Sequence, residues 1–215
     1  MQNPDHNKSD AELAPLPPTA LALIEGKTYA EWVYDHIAPY IKGRVLELGS
    51  GAGSIASTFI AHSLAMHLSD PNKVFRDLLR TKFMDALFIK SIKNVDYNRA
   101  DFNQQYIRMS GVFDTVVALN IHDQGCFYKS AIQKGTFLLR KRGHLMLVAP
   151  APTAFLNESE QNMEDYKKYN IRALQNLLSG EYEILKARYF TYVHGLEEGP
   201  SKHVGLSVLA ILRKY

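Results

Sequence analysis

The stretch Glu47-Leu48-Gly49-Ser50-Gly51-Ala52-Gly53 decides the fold. A short apolar run, Arg44 to Leu48, precedes it and reads as a buried strand. A helix over Ser54 to His62 follows it. Glycines between a strand and a helix carry meaning in that context. They tolerate positive φ and let a ligand lie against the backbone. The first N–H groups of the next helix favour a negative group nearby. A strand-to-helix turn can also need glycine for structure alone. Three glycines at alternate positions, with an acid two residues before the first, exceed that need.

Outward from this loop the pattern repeats. Thr28 to Ile41 sets Trp32, Val33, His36, Ile37 and Tyr40 at helical spacing. Leu64 to Leu68 reads as a second strand, Asn72 to Phe83 as a helix, Asn94 to Arg99 as a third strand and Phe113 to Leu119 as a fourth. Lys129 to Leu139 reads as a helix and Arg140 to Gly143 as a turn. His144 to Val148 is then the fifth strand and Met163 to Leu178 a leucine-rich helix. Tyr182 to Phe190 and His203 to Arg213 form two longer strands with no helical pattern between them, so they should pair as an antiparallel hairpin across Gly195–Pro200. The predicted class is α/β: a Rossmann-like, seven-stranded, mostly parallel sheet with an antiparallel C-terminal hairpin and helices on both faces. Residues 1–19 hold four of the nine prolines and read as a flexible N-terminal segment. Residues 20–215 form a single domain, with 151–169 as a lid-like insertion.

Composition narrows the function. A chain of 215 residues with 46% hydrophobic and 22% charged residues can build one ordinary core. A single cysteine, Cys126, excludes an internal disulfide framework and a cysteine-based zinc cluster, and fits a reducing compartment. The net charge of +3, with scattered basic residues, argues against a nucleic-acid partner. No apolar run reaches the ~20 residues of a membrane span, and Met1 to Glu12 has no apolar core of a secretory signal. The chain is therefore expected to be cytoplasmic, to act on a small molecule away from membranes, and to hold no metal. Its oligomeric state is left open.

Two cofactors compete for the loop. Gly51-Ala-Gly53-Ser-Ile-Ala56 satisfies the dinucleotide fingerprint. The longer pattern E-x-G-x-G-x-G, from Glu47, resembles motif I of class I S-adenosylmethionine (SAM) methyltransferases. SAM has no pyrophosphate, but its α-amino cation and carboxylate suit an acid beside open N–H groups. Either ligand calls for a carboxylate at the end of the second strand to grip the ribose, where Asp70-Pro71 stands. The plain alternative for Asp70 is a helix N-cap.

The resemblance to class I methyltransferases runs from about Tyr29 to Arg213. Ala100-Asp101-Phe102 is similar to the family's adenine site. Phe113-Asp114-Thr-Val-Val-Ala-Leu119-Asn120 resembles its "FD-apolar-apolar" motif, and the terminal hairpin resembles its sixth and seventh strands. Val148-Ala-Pro150, followed by Asp165-Tyr166-Lys-Lys-Tyr169, is similar to bacterial type 11/12 methyltransferases. The resemblance implies SAM as cofactor. Glu47, Gly49, Ser50, Gly51 and Gly53 would hold its methionine end, Asp70 and Pro71 the ribose, and Asp101, Phe102 and Asn120 the remainder of the pocket. It also implies that the fourth strand ends at the reacting centre, where His122 is the candidate base because its ordinary pKa lies near 6.5. Tyr29, Trp32, Tyr166 and Tyr169 are candidates for the substrate side. The reaction would be in-line methyl transfer to an O, N or C nucleophile of a small molecule.

Two rivals stay open. A short-chain NAD(P)-dependent oxidoreductase matches through Tyr182 and Lys186, but that chemistry needs both side chains one helical turn apart. In a strand they fall about 13 Å apart. A non-catalytic partner subunit with the SAM fold is the other.

Overall fold

Every residue of β1 (Val45–Leu48) and of β4 (Phe113–Ala118) is buried. Strands covered on both faces belong inside a parallel sheet, and these two pair in parallel at its centre. The computed structural model describes residues 30–119, 127–150, 182–193, 196–198 and 207–215. Around the central pair lie β2 (Met66–Ser69), β3 (Ile89–Lys93), β5 (Leu139–Pro150), β6 (Tyr182–Val193), β7 (Leu196–Glu198) and β8 (Ser207–Lys214). The sheet order is β3-β2-β1-β4-β5-β8-β6-β7. β1 to β5 run parallel; β8 is antiparallel to both β5 and β6. The predicted seven-stranded sheet with its antiparallel C-terminal pair is therefore present. The three-residue β7 extends β6 as an eighth strand.

The strands alternate between two cores. Leu46, Leu48, Val116, Ala118, Leu145, Leu147, Ala210 and Leu212 face one side, under α4 (Phe102–Gln105) and α5 (Phe127–Leu138). Val45, Val117, Met146, Val148, Leu209 and Ile211 face the other. There they meet α1 (residues 30–37), α2 (Ser54–Ala61) and α3 (Lys73–Lys82). This period of two places Glu47 on the α1/α2 side. Strand order reverses at β1, with β2 on one side and β4 on the other. Ligands of open α/β sheets bind at such a point, beyond the carboxyl ends of the strands.

Three elements differ from their sequence reading. The third strand is Ile89–Lys93, not Asn94–Arg99. Its two lysines mask its alternation, whereas Val95 and Tyr97 after it look strand-like but follow the strand. Arg140–Gly143 is not a separate turn; it is an irregularity within β5, where the register against β4 shifts and Arg142 takes a φ of 58°. α1 gives way after residue 37 to a 3₁₀ turn at Ala38–Tyr40, with Pro39 in it. The expected helix Met163–Leu178, the 151–169 lid and the 1–19 segment lie outside the described residues.

At the amino ends of the strands, Asp114 fastens β4 to the entry of β1. Its carboxylate accepts the Arg44 N–H at 2.6 Å and pairs with the Arg140 guanidinium. A Cβ on Gly43 would lie 2.2 Å from an Asp114 oxygen, so glycine is required there. Thr115 bonds both the N–H and the carbonyl of Lys42.

Candidate functional site

The glycine loop is zipped to the end of β2 by its own backbone. The Ser50 N–H donates to the Ser69 carbonyl at 2.8 Å, and the Ser69 N–H to Ser50 Oγ at 3.2 Å. The Ser69 hydroxyl donates to the Glu47 carbonyl at 2.8 Å. The Gly51 N–H donates to Asp70 Oδ2 at 2.9 Å, and the Gly53 N–H to the Ser50 carbonyl at 2.8 Å. The N–H groups of Ser50, Gly51 and Gly53 are thus engaged within the chain.

Two glycines are required for different reasons. Gly53 has a φ of 77° as the N-cap of α2, and a Cβ there would meet Phe83 and Leu79 at 2.7 and 2.8 Å. It lets the end of α3 pack against the loop. Gly51 has a φ of 51°, and a Cβ there would meet nothing within 4 Å. Its exposed side is open space along a bare backbone.

Glu47 stands just before this loop at 3% exposure, and its Oε2 is buried with no hydrogen-bond partner. Burial pushes its carboxyl up to about 7, and the nearby Asp70 adds to the rise; the Ser50 hydroxyl and the Lys82 charge pull the other way. A buried carboxylate oxygen without a partner is expensive. A donor that brings positive charge removes that cost.

Asp70 does not cap α3. Asn72 does, with its side chain accepting the Val74 N–H at 2.9 Å. Asp70 instead receives two backbone N–H groups: Gly51 on one oxygen, and Asn72 on the other at 2.8 Å. It is 5% exposed and ties the loop to the segment that enters α3. Pro71 is exposed beside it; its carbonyl and that of Asp70 both accept from Arg76 Nη1.

The structure does not bring Asp101 and Phe102 to this cluster in the expected way. Asp101 precedes α4, is about half exposed, and forms a two-pronged pair with Arg99 at 2.7 and 2.8 Å. That guanidinium holds its carboxyl below the usual range. The Phe102 ring is buried in the core against Tyr106 and Phe137. Both residues line a cavity of about 520 Å³ with Asn103, Gln104, Gln133 and Lys134, and no residue of the glycine loop borders it.

Sequence reading passed over residues that follow β3 and one that ends α3. β3 ends at Lys93, whose carbonyl accepts the Asp70 N–H at 3.2 Å. Asn94 follows, in reach of Arg76, and Asp96 is then the first acid beyond the strand. One Asp96 oxygen accepts the Asn98 N–H at 2.9 Å. Lys82 Nζ donates to the carbonyls of Ala52 and Gly53 at 3.1 and 3.2 Å; no motif signals it.

On α1, Trp32 stacks on His36 with centroids 4.1 Å apart. Arg188 of β6 sits 2.9 Å from His36 Nε2 and lies over the indole at 5.8 Å. Tyr29, Asn120, His122, Tyr166 and Tyr169 lie outside the described residues. The Tyr182/Lys186 pair lies along β6. Tyr182 is buried with its hydroxyl on Thr136, and Lys186 sits over the Tyr40 ring, so the two do not form one active pair. Among the described residues there is no group of three metal-ligating side chains and no helix long and apolar enough to cross a membrane.

No protein-family model matches the sequence, and no curated protein matches it. Solved structures do resemble it. The CurJ carbon methyltransferase is 19% identical over 92% of this chain, with a TM-score of 0.61. This chain covers 56% of that protein's length. The magnesium protoporphyrin IX methyltransferase of Synechocystis PCC 6803, solved with bound SAM, is 13% identical over 94% of this chain and 86% of its own, with a TM-score of 0.58. A SAM-dependent methyltransferase of Methanosarcina mazei is 16% identical over 84% and 97%, with a TM-score of 0.59. The chain has the fold of class I SAM-dependent methyltransferases.

Proposed function

We propose that this chain is a SAM-dependent methyltransferase acting on a small molecule. The observation that carries the reading is Glu47: a buried carboxylate with a partnerless oxygen, next to a loop whose open side at Gly51 would take a ligand backbone-close. The α-amino cation of SAM fits that carboxylate. A nicotinamide dinucleotide fits poorly, because its pyrophosphate would meet a buried acid and a loop whose N–H groups at Ser50, Gly51 and Gly53 are engaged.

When bound, SAM supplies a methyl group already activated by its sulfonium. The chain's own residues then have to bind, align and exclude water. Glu47 with Gly49, Ser50, Gly51 and Gly53 holds the methionine end. Asp70, whose two oxygens keep second lone pairs, receives the ribose hydroxyls beside Pro71. Asp96 takes the adenine edge in preference to Asp101, because β3 ends beside Asp70 while Asp101 is tied to Arg99. Asn120 completes the pocket. Trp32, with Tyr29, Tyr166 and Tyr169, covers the substrate. His122 takes a proton where the nucleophile arrives protonated, so His122→Ala lowers turnover by about 10²–10⁴-fold while SAM affinity holds.

Calorimetry with SAM, S-adenosylhomocysteine, NAD and NADP tests the reading. SAM and S-adenosylhomocysteine should bind, and Asp96→Asn should weaken both more than Asp101→Asn. Binding of a dinucleotide without binding of SAM rejects it. A partner-subunit role without catalysis would show as SAM binding with no methyl transfer to any acceptor.

A further inference from the structure

α3 has one apolar face more than the fold uses. A surface helix turns one apolar face to the core and a polar face to water. Leu79, with Phe83 just after the helix, supplies the core face of α3. Val74 and Leu78, four residues apart, form a second apolar face with Phe75, and all three are exposed. In the turn to β3, Met84 and Leu87 are 79% and 85% exposed. Among the described residues seven large apolar side chains are exposed, and these are five of them, all within residues 74–87. Scattered singly they would need no explanation; gathered, they mark a contact surface. α3 lies against β3, an outer strand of the described sheet, so this face is at the sheet's rim.

Charge says what the surface meets. Residues 73–93 hold six Lys and Arg against two acids, Asp77 and Asp85, a surplus of four in a chain whose net charge is +3. Lys73, Arg80, Lys82 and Lys90 are exposed. Lys90 Nζ donates to the Leu87 carbonyl at 3.1 Å, which sets an ammonium beside the exposed leucine. Asp77 is bonded by both Lys73 and Arg80 and offsets one of the charges. A helix is about 10 Å across, so these cations lie within about a Debye length of anything that covers the apolar face. Apolar side chains among cations suit a helix lying in the interface of an anionic bilayer. There the side chains enter the acyl boundary and the cations hold headgroup phosphates. A second copy is the poorer occupant, because a two-fold contact would set the surplus against itself. We propose that α3 and its turn to β3 dock the chain on an anionic lipid surface. The expectation of a chain acting away from membranes rested on the length of apolar runs, which bears on spanning and not on lying flat. The proposal stands apart from the SAM reading: it holds or fails whether or not SAM binds.

The test is co-sedimentation of the full chain with vesicles of phosphatidylcholine, alone or mixed equally with phosphatidylglycerol. Wild type should bind the mixed vesicles and not the neutral ones, and salt should weaken binding. Val74→Gln, Leu78→Gln and Leu87→Gln together should lower the partition coefficient by about tenfold or more. Lys73→Gln, Arg80→Gln and Lys90→Gln together should lower it by about fivefold for each charge removed. As a control, Arg108→Gln, Lys141→Gln and Arg142→Gln remove the same charge from exposed positions elsewhere. They should leave binding within about twofold of wild type. Each variant should melt close to wild type, because the side chains are exposed. Wild type that ignores mixed vesicles, or a control that loses as much as the charge variant, overturns the proposal. So does binding that the apolar variant keeps in full, because the charges alone then act, as they would on a nucleic acid. Wild type that sediments without vesicles as a dimer, and that the apolar variant turns into a monomer, overturns it in favour of a contact between copies. A steep fall in the melting temperature of the apolar variant also overturns it, because the chain itself then covers the face.

Discussion

Two carboxylates are buried at opposite ends of the central β1–β4 pair, and the chain treats them differently. Asp114, at the amino end, has the Arg44 N–H and the Arg140 guanidinium on its oxygens, with the Gly43 backbone pressed against it. Each acid keeps one buried oxygen without a hydrogen bond, Asp114 Oδ1 and Glu47 Oε2, but the Asp114 oxygen faces the Arg140 guanidinium whereas Glu47, at the carboxyl end, makes no ion pair among the described residues. Both cost free energy to bury. Asp114 recovers part of that cost through an ion pair and a backbone N–H, where Glu47 has the Ser50 hydroxyl and no counter-ion at bonding distance. An acid paired with its own chain holds structure together; the acid without a counter-ion, at a strand's carboxyl end, is where we propose that the ligand binds.

Substitution should separate the two by sign. Asp114→Ala removes the acceptor of a backbone N–H and strands Arg140, at about 2–4 kcal/mol. In a chain of this size that lowers Tm by roughly 5–15 °C. Ligand affinity of the folded protein should hold. A thermal melt with calorimetry decides it, and a melt within a degree of wild type would remove Asp114 from its structural role.

Glu47→Gln should do the reverse. The folded chain holds the Glu47 proton more tightly than the unfolded chain does, between the ordinary value of 4.5 and about 7. Its contribution to stability is thus complete below pH 4.5 and lost as pH rises through 7, by at most about 3 kcal/mol. Denaturant titrations at pH 5 and pH 8 should show wild type losing stability relative to Glu47→Gln on that rise. SAM affinity of the variant should fall by about 10–100-fold, the worth of a charge-assisted bond. A variant that binds SAM as tightly as wild type would break the comparison.

Asp70 lies between these cases. Asn at this position cannot accept both the Gly51 and Asn72 N–H groups, because its amide nitrogen only donates. Asp70→Asn should therefore lower stability by about 1–2 kcal/mol as well as weaken SAM. Binding lost with an unchanged melt would make the ribose contact its sole role. The smallest stability effect belongs to Gly51→Ala. A φ of 51° costs alanine about 1 kcal/mol, yet the new methyl enters the open space beside the loop and should weaken SAM more than it destabilises the fold. A melt that falls while binding holds would put the ligand elsewhere.

The central strands were legible because burial on both faces leaves an unbroken apolar run, as in Val116-Val117-Ala118. The strand, glycine loop and helix around Gly51 and Gly53, both at positive φ, were legible because the loop's constraints are local. Asp114 was read as part of a strand motif. Its fastening role needs Arg44, seventy residues away, and Arg140, and no local pattern encodes that meeting. Lys82 was hidden in the same way, because it acts on a loop twenty-nine residues before it. The end of β3 was misjudged because its residues are only partly buried, and this moved the acid beyond it from Asp96 to Asp101.

β3 is also one of the two outer strands of the described sheet. An outer strand offers its unpaired backbone groups as a template on which another molecule can add a strand, a route to aggregates. Lys90 and Lys93 place charge along that rim, and the pairing of β3 with β2 is irregular at Met66/His67, which bends the rim out of line. A second copy approaching edge to edge would have to bury ammonium groups and match a kinked partner. Replacing the lysines with valine or threonine would give a strand that any reader would recognise, and one that other chains would recognise too.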